Sequence, residues 1–148
     1  AIKRDDVRQR YSRPKDDVLY AADYLHQDST SDCVDICDQK QVVHRQASSK
    51  TVVHNGIIGS SNGLIKDTKI RDYAASLGVS VERWTYRVQA LCVEMESAAI
   101  ANTGQHYLLV RGICDYADSH KNDDWQGYAA IAAAGFVKLL LEHIPRLT

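Results

Sequence analysis

A chain of 148 residues has room for one domain with a buried core and is short for two. Its composition, 45% hydrophobic and 25% charged, is that of a globular protein and excludes a disordered tail. Lysine and arginine number 18 against 19 acids, for a net charge of −1. No basic block occurs, which leaves no basis for a nucleic-acid-binding surface. The longest apolar run, Ala129 to Val137, is too short to span a bilayer, and no basic-then-apolar leader opens the chain. The expectation is a cytoplasmic protein with no membrane partner. The opening AIKRDD lacks an initiator methionine, as expected of a processed or excised piece. Four cysteines are too few for a dense secreted framework, and Cys92 and Cys114 fall in apolar runs, where reduced thiols pack as small buried groups.

In chain order, residues 1–38 are polar and aperiodic, with a short helix expected in DDVLYAADYLHQ. QVVHR (Gln41 to Arg45) and TVVHNGII (Thr51 to Ile58) are β-branched and read as strands, followed by the turn residues GSSNG (Gly59 to Gly63). A helix is expected from Asp67, which can cap it. Ile70, Tyr73, Ala74 and Leu77 share one face, with Tyr73 a packing residue, and Gly78 ends the helix. VSVERWTYRVQ reads as a strand or a surface insertion. Leu91 to Val93 and Tyr107 to Ile113 read as short buried strands. The clearest helix covers Trp125 to His143, with large and small apolar residues at spacings of three and four before Pro145. Strands alternating with helices indicate one α/β domain with a largely parallel sheet. In such sheets ligands bind at the carboxyl ends of strands. GSSNG, EMES and CDYADSH all fall at such ends.

Glu94 and Glu96 lie two apart in LCVEMESAAI, where strand gives way to helix. A carboxylate at a strand end can accept hydrogen bonds from a ribose diol. Equally, Glu96 can be a first-turn residue favoured by the helix dipole. In RGICDYAD, Asp115 follows an apolar run directly and Asp118 comes three residues later. A carboxyl in a poorly solvated strand-end pocket can donate a proton near neutral pH. The structural alternative is a helix cap for one aspartate and an ion pair with Arg111 for the other.

Together, VEMES and VRGICDYAD resemble the nucleoside phosphorylase and methylthioadenosine nucleosidase superfamily. The likeness is closest to fungal members, which are often one domain of a larger protein. It runs from RPKDDVLYAADYLH through VVHNGIIGSSNGLIKD and CVEMESAAI to RGICDYADSHKNDDWQGYAAIAAAGFVKLLL. The resemblance implies a three-layer α/β/α sandwich and cleavage of the N-glycosidic bond of a purine nucleoside or nucleotide. It assigns Glu96 to the ribose hydroxyls, Met95 beneath the sugar, and Asp115 to a proton at purine N7. Glu94 is the supporting neighbour, and Leu64 and Ile65 fall beside the base. The transition state is oxocarbenium-like, so an anion at the ribose and an acid at the base each favour it.

Ser61 and Asn62 stand where relatives commonly carry glycine followed by aspartate or asparagine, and remain candidate substrate-binding positions. The family's N-terminal half, with its phosphate or water site, has no counterpart in residues 1–50. The chain is therefore expected to be the C-terminal part of such a domain, working as a homo-oligomer or with a companion chain that supplies the rest. No cofactor is implied; phosphate would be a co-substrate if the enzyme is a phosphorylase, and the fungal likeness favours hydrolysis. The rival reading is a nucleoside-binding or regulatory module without turnover. His26, Cys33, Cys37 and His44 combine zinc-ligand types, but one Cys-x₃-Cys pair is a weak signal, and no metal is assigned. His120 and Trp125, close to Asp115 in sequence, are candidate pocket residues, although a tryptophan at this helical position is more often core.

Overall fold

The computed structural model describes residues 4–28, 30–46, 48, 50–76, 79–81 and 84–145. The chain gathers into two compact units. One comprises Val18–Leu109 and Tyr116–Lys121. The other comprises Ala1–Asp17, Val110–Asp115 and Asn122–Thr148.

In the first unit, β1 (Ile57–Ser60) and β4 (Ala90–Glu94) pair in parallel, with Ile58 opposite Cys92 and Ser60 opposite Glu94. Parallel neighbours need a long crossover. Here it contains α3 (Thr68–Ser76), which packs on β4, and an antiparallel pair of strands, β2 (Val79–Val81) and β3 (Trp84–Val88). VSVERWTYRVQ thus contributes two paired strands, with Glu82 and Arg83 outside the described residues. Asp67 caps α3 as expected, its Oδ1 accepting from the amide of Lys69 at 2.7 Å. Buried Thr68 donates its hydroxyl to the Ala22 carbonyl at 2.7 Å. After β4 comes α4 (Ser97–Ala101).

Several expectations are corrected. Pairing begins only at Ile57, and Val52 and Val53 are exposed. The five residues of β4 offer ladder partners to Ile57–Ser60 alone. Gln41 belongs to a 3₁₀ turn, Gln39–Gln41, and Val42 makes an isolated bridge to Tyr20. The same bridge accounts for the absence of a helix in DDVLYAADYLHQ. Its backbone is spent across the chain, Ala21 N–H to the Gln41 carbonyl and Val43 N–H to the Leu19 carbonyl. Tyr107 to Ile113 is not a strand; Leu108 is 71% exposed, and no neighbouring strand is present among the described residues. Tyr73 is 65% exposed, because α3 buries only its first turn. Leu77 and Gly78 lie outside the described residues. The architecture is mixed α/β, with two two-stranded sheets among the described residues instead of a three-layer sandwich.

In the second unit, α1 (Arg4–Tyr11) packs on α5 (Gln126–His143), which matches the expected helix within one residue. Trp125 holds the N-cap position, and its indole N–H donates to the Asp16 carbonyl at 2.8 Å. The Arg13 guanidinium lies over the Trp125 and Tyr128 rings. Ala129 is buried, and Gly112 touches its backbone so closely that an added Cβ would overlap the Ala129 carbonyl. No helix among the described residues is long and apolar enough to cross a membrane.

Two glycines should respond oppositely to the same substitution. Gly112→Ala must push the chain off rigid backbone and should destabilise by about 1–3 kcal/mol. Gly135 lies mid-helix with open space around it, so Gly135→Ala should stabilise by about 0.5–1 kcal/mol. Urea unfolding of both variants checks the pair, and a shared sign would contradict the packing of α5.

Candidate functional site

The corner between β4 and α4 is organised by Glu94, which is only 5% exposed. Its carboxylate accepts from the amide of Glu96 at 2.9 Å, the amide of Ser97 at 3.0 Å and the Ser97 hydroxyl. Burial pushes this carboxyl up. The bonds from Ser97, Ser60 and the two amides outweigh it and bring its pKa to about 2. Ser60, at the end of β1, also accepts from the Ala98 amide at 3.1 Å, and the Ser61 amide donates to the Glu94 carbonyl. Both parallel strands thereby end on one polar knot. Glu96, read as a possible first-turn residue, occupies the N-cap position and makes no side-chain cap bond; the amides of the helix start are met by Glu94 instead.

Around that knot stand the other expected residues of this unit. Met95 and Glu96 are exposed in the bend between β4 and α4. After β1, Ser61 closes a tight turn, its hydroxyl donating to the Gly63 carbonyl at 2.9 Å and accepting from the Gly63 amide. Asn62 and Leu64 are exposed and Ile65 is half-buried. The structure therefore brings Ser60, Ser61, Glu94, Met95 and Glu96 to the carboxyl ends of two paired strands. Sequence reasoning missed Ser60 and Ser97. The signal was there, a serine at each strand-end turn, but only the fold aims them at one carboxylate.

Asp115 belongs to the other unit, where it is half-buried and accepts from the Cys114 thiol at 3.3 Å. Cys92 and Cys114 are in no disulfide but are only half-buried, because β4 has a single partner strand among the described residues and Cys114 lies in no strand. Asp118 is buried in the first unit and caps a turn, its Oδ1 accepting from the His120 amide at 3.0 Å. Between them, the Tyr116 carbonyl accepts from Arg71 at 3.0 Å while Arg45 lies over its ring. Ala117 sits at φ 52°, a left-handed conformation costing a non-glycine residue about 1–2 kcal/mol.

A second polar cluster involves three residues from the sequence survey. His26, Cys33 and Cys37 place a ring nitrogen and two sulfurs within 4.8 Å of one another, while His44 is exposed and outside the group. Burial, with Cys37 and Asp118 nearby, pushes the Cys33 thiol up to about 11. His120 is buried beside it, stacked on Tyr20 at 4.2 Å between centroids, and burial lowers its pKa against the opposing pull of Asp118. A shallow groove on α5, lined by Ala134, Val137, Lys138, Leu141, Glu142 and Ile144, contains none of the expected site residues.

No protein-family model matches this chain, and no solved structure does. The chain is 33% identical over 137 residues to a nucleotide-binding leucine-rich repeat (NLR)-like protein of Hyaloscypha variabilis (strain UAMH 11265 / GT02V1 / F). The match covers 93% of this chain and 12% of that protein.

Glu94 should leave a signature in acid. Its folded pKa lies below the ordinary 4.5, so its stabilisation is complete above that pH and fades as pH falls toward 2. Glu94→Gln should cost about 0.5–2 kcal/mol at neutral pH, the range for losing a helix cap. That difference from the parent should shrink across the acid window. Denaturation curves at stepped pH test this; a difference that stays flat would remove Glu94 as the charged anchor.

Proposed function

We propose that this chain carries the sugar-binding part of a site that cleaves the N-glycosidic bond of purine nucleosides or nucleotides. The observation that supports the reading is the division of labour between the two glutamates. Glu94 is consumed in anchoring the corner, while Met95 and Glu96 are exposed at the carboxyl end of a parallel strand pair. That is where an open α/β sheet receives ligands. A carboxylate there suits a ribose diol and favours positive charge developing on the sugar. The apolar Met95 offers a surface beneath the ring, and the loop of Ser61, Asn62, Leu64 and Ile65 follows the neighbouring strand. The role of Asp115 as proton donor to the base rests on the resemblance of RGICDYAD. Asp115 is half-buried.

In this reading the two-stranded parallel sheet is the C-terminal part of a larger α/β/α sandwich. The remaining strands come from elsewhere in a longer protein, from a companion chain or from a second copy. No cofactor is needed, and phosphate enters only if the reaction is phosphorolysis. Cys33, Cys37, Cys92 and Cys114, which are in no disulfide, suit the cytoplasm.

A second reading, nucleoside recognition without turnover inside a larger assembly, is favoured by the NLR-like relative. Its name describes nucleotide binding, and this chain spans only 12% of its length.

Incubation with adenosine, inosine and adenine nucleotides, with and without phosphate, separates the readings. Free base without phosphate is the expected outcome; base only with phosphate means phosphorolysis, and binding without base means the recognition module. Asp115→Asn should keep nucleoside binding while turnover falls by about 10²–10⁴-fold, the usual contribution of a positioned general acid. Glu96→Gln should weaken both. An Asp115→Asn variant as fast as the parent would remove Asp115 as the acid.

A further inference from the structure

The cluster at His26, Cys33 and Cys37 is independent of the nucleoside reading and has its own geometry. Cys33 opens the single helical turn α2 (Cys33–Ile36) and Cys37 closes it, the Cys37 amide donating to the Cys33 carbonyl at 3.0 Å. A spacing of four on a helical turn puts both thiols on one face. Facing them, His26 has Nε2 at 3.0 Å from the Ser31 carbonyl. A carbonyl oxygen only accepts, so Nε2 carries the ring proton and Nδ1 presents a lone pair. That nitrogen lies 3.1 Å from Cys37 Sγ and 3.6 Å from Cys33 Sγ. One lone pair thus faces two thiols and can accept from only one of them well.

The arrangement suits a cation better than a hydrogen bond. Zinc bonds of about 2.1 Å to nitrogen and 2.3 Å to sulfur give a tetrahedron with edges of roughly 3.6–3.8 Å. The 3.6 Å between His26 Nδ1 and Cys33 Sγ already has that spacing, Cys37 Sγ stands closer at 3.1 Å, and all three donor atoms lie within 4.8 Å of one another. A histidine that gives its other N–H to a backbone carbonyl is the usual outer-sphere partnering of a metal ligand. The loop carrying these residues is ordered from outside by Asp28, which accepts from the Thr30 amide and from the Thr30 and Ser31 hydroxyls. A second observation comes from His120, 8% exposed, with its ring centroid 5.5 Å from that of His26. Its Nε2 has no hydrogen-bond partner among the described residues, which marks this pocket as polar and incompletely satisfied. Simple packing of reduced thiols would require neither the fixed histidine tautomer nor the convergence of three donors.

We propose that His26 Nδ1, Cys33 Sγ and Cys37 Sγ form a binding site for a borderline-soft divalent cation of the zinc class. Two thiolates and one imidazole select such a cation over magnesium or calcium. Binding exchanges two S–H bonds for two metal–sulfur bonds and releases two protons to solvent, with no electron transfer. The ion reinforces a clasp already present between two segments of this unit. The His26 amide donates to the Ser119 hydroxyl at 2.9 Å, and the Cys33 sulfur lies 4.0 Å from the His120 carbonyl. With three protein ligands and a water in the fourth position, the ion acts here as a staple under the turn of Tyr116–His120.

Cobalt(II) titrated into the reduced, metal-free 148-residue chain is the direct test. The expected result is thiolate-to-cobalt charge-transfer absorption that saturates at one equivalent and disappears when zinc is added. Cys33→Ser and Cys37→Ser should each abolish the band at stoichiometric cobalt, while Cys92→Ser and Cys114→Ser leave it intact. A measurement on the unmodified chain guards against variants that fail to fold. Zinc should slow alkylation of Cys33 and Cys37 and leave the labelling rates of Cys92 and Cys114 at their metal-free values. Absence of the band at one equivalent, or protection that falls on Cys92 or Cys114, would overturn the site.

Discussion

Glu94 is a buried carboxylate that pays for its desolvation with a full set of donors. Two backbone amides at the start of α4 and the hydroxyls of Ser60 and Ser97 converge on it. Those amides would be orphans without it, since the first turn of a helix has no internal acceptors. The same group therefore ends β4, starts α4 and ties in the last residue of β1. A neutral or shorter side chain there would leave buried donors unmet, and the bend carrying Met95 and Glu96 would lose its frame. The chemistry proposed for the neighbouring glutamate depends on this one being fully engaged.

Polar contacts hold much of the first unit together. Among the described residues no large side chain is fully buried, and the buried apolar positions of this unit are Tyr20, Cys37 and Ala117. In place of an oily centre, Tyr20, Tyr24 and His120 stack, His26 meets His120 edge-on, and two thiols fill the space beside them. In a low-dielectric setting such networks are strong when satisfied and costly when not. A bound cation would convert the least satisfied part into the firmest, which is why the cluster carries structural weight beyond its size.

Large apolar side chains also remain exposed in the first unit, among them Val52, Val53, Leu91 and Leu108. A sheet of two strands cannot cover them. Apolar surface of this kind is normally met by a partner or by more of the same protein. The NLR-like relative, of which this chain matches 12%, fits the proposal that the chain is one module among several. Within that proposal the strand-end acids are a recognition element whose turnover depends on what the remaining protein adds.

Local chemistry in the sequence was enough to determine α5, the Asp67-capped start of α3 and the strand at Leu91 to Val93. Each depends on neighbours within a few residues. The importance of the EMES corner was visible for the same reason, since two acids at a strand end demand an explanation. Tertiary structure alone decided which acid is buried and which is exposed, because that depends on Ser60 arriving from a strand more than thirty residues away. It also decided that Val52, Val53 and Tyr107 to Ile113 stay outside any strand. β-branched runs fit a pleated surface, and whether one forms depends on a partner strand supplied from elsewhere. The zinc-type cluster shows the same limit. His26, Cys33 and Cys37 were a weak pattern on paper, and His44 looked equally eligible. One helical turn and one histidine tautomer, set by the Ser31 carbonyl, selected three of the four.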